Sequence, residues 1–122
     1  MIDKLKKIFG FRPTLDHEAF YAYLNKLPQA IQVRWCRDGD FIVGDIVADG
    51  YKFMTQAKNA EEFIEMVNDS LLTVYEIPKE YFDALLEVRT FIPDPKEYQK
   101  LNDASIKKSN FNIDRRPVLA PV

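Results

Sequence analysis

The sequence predicts a small α/β domain of the α+β kind, with a main helix packed on an antiparallel sheet of three strands, or four. Three observations carry this. Ile31, Val33 and Trp35 alternate with Gln32, Arg34 and Cys36, the period of two expected of a strand with one buried face. Asp38-Gly39-Asp40 and Asp49-Gly50 then separate strands over 31–36, 41–48 and 51–56. Asp-Gly between apolar runs signals a hairpin, because glycine accepts the positive φ such turns demand. Finally, Asn59 followed by Glu62 resembles a capping box, and Phe63, Val67, Leu71 and Val74 follow at helical spacing over 60–75.

The other elements are shorter. Ile2, Leu5, Ile8 and Phe9 fall at helical spacing among Lys4, Lys6 and Lys7, a basic amphipathic segment over 2–11. Such a segment either lies on a membrane surface or packs on the chain itself or a second subunit. Leu15, Phe20, Tyr23, Leu24 and Leu27 mark a helix over 15–27, with Thr14 or Asp16 as its cap and Pro28 as its stop. In the main helix, Glu61, Glu62 and Glu65 suit the positive end of the dipole, while Ile64 and Leu72 widen the apolar stripe. Pro78 fits the first position of a helix over 78–88 with Tyr81, Phe82, Leu85 and Leu86 apolar. Residues 90–92 read as a short strand or an extended link. Asp94-Pro95-Lys96-Glu97 repeats the start signal for a helix to about 107, with Tyr98, Leu101 and Ile106 apolar. Residues 108–122 show no period and contain Arg115-Arg116-Pro117, so the expected organisation is one domain over 1–107 and a flexible tail.

Bulk properties narrow the class. A chain of 122 residues supports one domain, and 47% hydrophobic residues exceed what a disordered chain carries. No apolar run approaches the roughly 20 residues of a membrane span. The first residues lack the apolar stretch of a secretion signal, and Cys36 is the single cysteine; both point to the cytoplasm. One thiol and the single histidine, His17, cannot build a zinc site. Charge is uneven: residues 1–13 carry +3, residues 104–122 carry +3, and residues 14–103 carry −8. Such a body either attracts a basic partner or simply solvates its surface.

Reactive constellations are sparse. Asp38, Asp40, Asp45 and Asp49 invite a metal reading, yet the regular offsets and distal Glu of a calcium loop are missing, and turn chemistry accounts for those beside Gly39 and Gly50. Four glycines in the whole chain leave no phosphate-binding loop. Cys36 would need a base, and His17 lies on a different element. Tyr51, Phe53 and Arg34 are pieces of a base-stacking face, but the acidic body opposes nucleic acid, and those aromatics are expected in the core. Neither a catalytic residue nor a metal or cofactor is expected. The alternative from a different class is a magnesium-dependent nuclease or hydrolase using Asp45 with Glu62 or Asp69.

Residues 31–76 resemble the N-terminal domain of the HicB-like antitoxin family. The resemblance runs through the turn Asp38-Gly39-Asp40, the break Asp49-Gly50, the step Thr55-Gln56-Ala57 and the helix entry Asn59-Ala60-Glu61-Glu62. The chain departs from the family at Ile46-Val47-Ala48, where prolines are common, and at Ala57, where the family has glycine. Residues 78–122 resemble neither a ribbon-helix-helix nor a helix-turn-helix, so no DNA binding is expected. The resemblance implies a reduced RNase H-like fold, a homo-oligomer, and neutralisation of a small basic RNA-cleaving toxin by docking over its active site. An acidic body fits that role. Asp38, Asp40, Asp45 and Asp49 are then expected to make contact, with Arg34 and Lys52 setting the register. The expectation is a non-enzymatic interaction domain, either an antitoxin or a solitary relative.

Overall fold

The two Asp-Gly turns set the sheet. Asp38 pairs with Phe41 and Ala48 with Tyr51, so each hairpin loop has two residues. Gly39 takes φ +60° at the first loop position, where a II′ turn wants glycine. Asp49 and Gly50 both have positive φ, 42° and 86°, as a I′ turn requires. The computed structural model describes residues 15–114 and 116–117; the amphipathic segment expected over 2–11 lies outside the described residues. Strands β1 (Ala30–Asp38), β2 (Phe41–Ala48) and β3 (Tyr51–Ala57) match the expected ends within two residues.

Among the described residues the helices, in chain order, are α1 (His17–Lys26), which precedes β1, and α2 (Ala60–Val74), α3 (Phe82–Val88) and α4 (Pro95–Asn102), which follow β3. Asp16 caps α1 by accepting the Ala19 N–H at 2.8 Å, and Asn59 caps α2 by accepting the Glu62 N–H at 2.8 Å. Asp94 caps α4 through the Glu97 N–H at 3.1 Å. Each cap satisfies an amide that the helix itself cannot. The helix expected over 78–88 is divided: Pro78 caps a 3₁₀ turn, Lys79–Tyr81, and α3 follows it. Helix α2 stops at a Schellman arrangement, with Glu76 N–H on the Thr73 carbonyl and Ile77 N–H on the Leu72 carbonyl. Glu76 holds the left-handed position there, φ 58°, without being glycine.

The flexible tail expected over 108–122 is corrected at 108–114 and 116–117, and its remaining residues lie outside the described ones. Three short strands complete the fold: β4 (Arg89–Thr90), β5 (Lys108–Asp114) and β6 (Arg116–Pro117). β5 pairs antiparallel with β1, giving a four-stranded sheet in the order β3-β2-β1-β5. β4 and β6 form a separate two-residue ladder, so the link over 90–92 becomes a strand only at its start. In β5 only Phe111 and Ile113 are buried apolar residues, and asparagine is a poor strand former. Its pairing with β1 supplies what local propensity lacks. The link to β5 is also why α4 ends at Asn102 rather than near 107. The Asp103 carboxylate accepts the Ser105 N–H at 3.0 Å and its hydroxyl at 2.7 Å, which holds that carboxyl below the usual range. The Arg37 guanidinium then donates to the carbonyls of Lys100, Leu101, Asp103 and Ile106, at 2.7 to 3.1 Å. One β1 side chain therefore ties down both the end of α4 and the approach to β5.

Among the described residues, all four helices contribute to one apolar cluster on a single side of the sheet. Phe63 of α2 is fully buried and sits on Gly44 of β2, where an added Cβ would lie 2.5 Å from the ring. That close approach is why a strand interior holds glycine here. Val67, Leu71 and Leu72 continue the buried stripe. Among the described residues, no helix is long and apolar enough to cross a membrane.

Candidate functional site

With every helix on one side, the other side of the sheet is open among the described residues. β1 sends Gln32, Arg34 and Cys36 outward, β3 sends Lys52, Met54 and Gln56, and β5 sends Lys108, Asn110 and Asn112; all are exposed. Met54 is 68% exposed, far more than an inward-facing strand residue would be. On β2, Asp45 is exposed between the half-buried Val43 and Val47. Arg34 lies directly across from Asp45, and Asp45 directly across from Met54.

The six contact residues expected from the sequence do not form one patch. Arg34, Asp45 and Lys52 line a shallow groove on the open face together with Gln32, Val47 and Met54. Asp38 and Asp40 flank Gly39 at the β1–β2 turn, whereas Asp49 sits in the β2–β3 turn at the other end of β2. Eight residues of strand separate the two turns, about 25 Å at the usual rise. The open face itself carries Arg34, Lys52 and Lys108 against Asp45, with Asp38 at its end by the same alternation, so it is not the acidic surface.

The acid lies on the helical side. From 58 to 88 the chain holds eight Asp or Glu and two Lys. Glu61, Glu62, Glu65, Asp69, Glu76, Glu80 and Asp83 are exposed, and Glu87 is half-buried. This segregation separates Asp45 on the open face from Glu62 and Asp69 on α2, so Asp45 is brought together with neither partner of the nuclease alternative. Among the described residues no group of three His, Cys, Asp or Glu is arranged to hold a metal ion.

Other side chains have clear structural work. Asn68, 5% exposed on α2, is the residue whose role the sequence gives least sign of. Its side-chain oxygen accepts the Phe91 N–H at 2.8 Å and the Thr90 hydroxyl at 3.0 Å; its amide donates to the Phe91 carbonyl at 2.9 Å. It thus serves segment 90–91 as a neighbouring strand would. The Trp35 indole N–H is buried without a hydrogen-bond partner among the described residues, and the Arg37 guanidinium carbon lies 5.3 Å from the centre of that ring. Tyr51, expected in the core, is instead exposed at the hairpin end, its ring 5.0 Å from that of Tyr75. Phe53 is half-buried, packed against the core. Burial, with the Asp49 carboxylate nearby, pushes the Tyr75 phenol above its ordinary value. Cys36 and His17 are exposed and lie on β1 and at the start of α1.

Compared with family models, curated proteins and solved structures, the chain matches none.

Proposed function

We propose that this chain is a non-enzymatic interaction domain that docks a small basic protein against its acidic helical side. The observation that carries the reading is the charge of segment 58–88, which holds α2, the 3₁₀ turn and α3, with eight acids against two lysines. Seven of those acids are exposed. A surface of one sign steers an oppositely charged partner and raises association rates by roughly 10- to 1,000-fold. The resemblance of residues 31–76 to HicB-like antitoxins supports the finer reading, in which the partner is an RNA-cleaving toxin and the domain covers its active site. The chain is then an antitoxin or a solitary relative of one. Residues 78–114 supply short helices and strands rather than a two-helix DNA reader, which favours a role without operator binding. Residence in the cytoplasm suits an exposed, unpaired thiol at Cys36.

The test is purification of the tagged full chain from its native lysate at low salt, with mass spectrometry of what accompanies it. The reading expects a small basic protein that is lost as salt approaches about 1 M, where screening acts within about 3 Å. That protein should cleave RNA, and adding the chain back should stop it. Recovery of the chain alone at low salt sinks the docking reading; recovery of a basic partner with no RNA-cleaving activity sinks the antitoxin one.

A further inference from the structure

We propose that the open face of the sheet is the contact surface between two copies of this chain, related by a two-fold axis running along the strands between β1 and β2. The inference is independent of the docking reading, because it uses the opposite side of the sheet. It rests on the register. Across the middle of the open face, from β3 to β5, stand Met54, Asp45, Arg34 and Asn110 in one row. Half a turn about an axis between β1 and β2 exchanges those two strands, and exchanges β3 with β5. Arg34 of each copy then faces Asp45 of the other, forming two reciprocal ion pairs at the centre.

The rows on either side obey the same operation. Lys52 and Asn112 end one row and Gln56 and Lys108 end the next, so each lysine faces a neutral amide. Between them the half-buried Val43 faces Cys36 and Val47 faces Gln32. No like charges meet. The competing two-fold, running across the strands through the same middle row, would set Arg34 on Arg34 and Asp45 on Asp45. The charges therefore select one symmetry and reject the other. Sheets packed face to face with strands nearly aligned are also the common arrangement, about 10 Å apart and within about 30°.

The size of the face sets the strength. Four strands at about 4.8 Å and eight residues at about 3.3 Å span roughly 500 Å² per copy. The total of about 1,000 Å² lies at the low end of specific interfaces, so the dimer is weak and reversible, with Kd in the micromolar range or above. Lys52, Lys108 and the neighbouring amides remain at its rim, where charge sets partner choice more than affinity.

The experiment is sedimentation equilibrium on the full chain from low micromolar to about millimolar concentration. Circular dichroism and thermal melting accompany it, confirming that each variant folds. The wild-type chain should dimerise with rising concentration. R34D alone and D45R alone should each weaken the dimer at least about tenfold, since each sets like charges face to face. An equimolar mixture of the two variants should recover a dimer containing one of each, because an all-acidic centre then meets an all-basic one. The R34D/D45R double variant should dimerise like the wild type. A wild-type chain that stays monomeric throughout overturns the proposal. So do folded single variants that dimerise as well as the wild type, or a mixture that fails to pair.

Discussion

The inner and outer faces of β1 and β2 share one period of two and answer to different physics. On the inner face Ile31, Val33, Trp35, Ile42, Gly44 and Ile46 are all buried, and their identities are set by volume. Gly44 leaves room for the Phe63 ring, and a side chain there would collide with it. On the outer face Gln32, Arg34, Cys36 and Asp45 are exposed, and no packing requirement fixes them. What distinguishes them is an order of charge, a cation beside an anion at the centre and lysines toward opposite corners. Stability is thus written on one face, whereas the contacts proposed with a second copy and with a basic partner fall on the other and on the acidic helical layer.

Substitutions can break this contrast in graded steps. The largest effect belongs to the seam between α2 and the sheet. Phe63→Ala removes a fully buried ring and leaves a cavity over Gly44, for an expected loss of about 3–5 kcal/mol in urea unfolding. A loss under about 1 kcal/mol would mean the ring does not hold α2 to β2. A smaller effect of opposite sign is expected where the helical layer is strained. Glu76 occupies a left-handed position at the end of α2, so Glu76→Gly should stabilise the chain by about 0.5–1 kcal/mol after the glycine's extra unfolded-state freedom is counted. Destabilisation by that change would show that the Glu76 side chain makes a stabilising contact that outweighs the strain. The smallest effect belongs to the open face. Met54→Ser, at a site 68% exposed, should shift unfolding of the dilute chain by no more than about 0.5 kcal/mol. A larger cost would mean that something in the monomer covers the face.

Much of the fold was legible because its signals are local. The Asp-Gly turns, the alternation in β1 and the caps Asp16, Asn59 and Asp94 each act within four residues. The features that escaped are tertiary. β5 has two apolar residues and two outward asparagines, and becomes a strand only because β1 offers it an edge more than 70 residues earlier. Arg37 looks like one more surface cation until it reaches carbonyls 63 to 69 residues away, which is what shortens α4. Asn68 reads as a polar break in an apolar stripe, yet it is buried because it pairs with the backbone of Phe91. The candidate site was legible in part. Sequence singled out Arg34, Asp45 and Lys52, which do share the open face. It grouped them with the turn residues Asp38, Asp40 and Asp49 by their shared charge, although two successive hairpins place their turns at opposite ends of β2. It also read the acidic excess as a property of the whole body, whereas the helical layer concentrates it on one side.

Whether the proposed basic partner docks on the acidic helical side or on the open sheet face is decided by comparing its low-salt recovery by two full-length variants that fold like the wild type. E62K/E65K/D69K should lose the partner while R34D/K52E retains it. Loss of the partner from the open-face variant, with retention by the helical-side variant, would return the docking surface to the sheet.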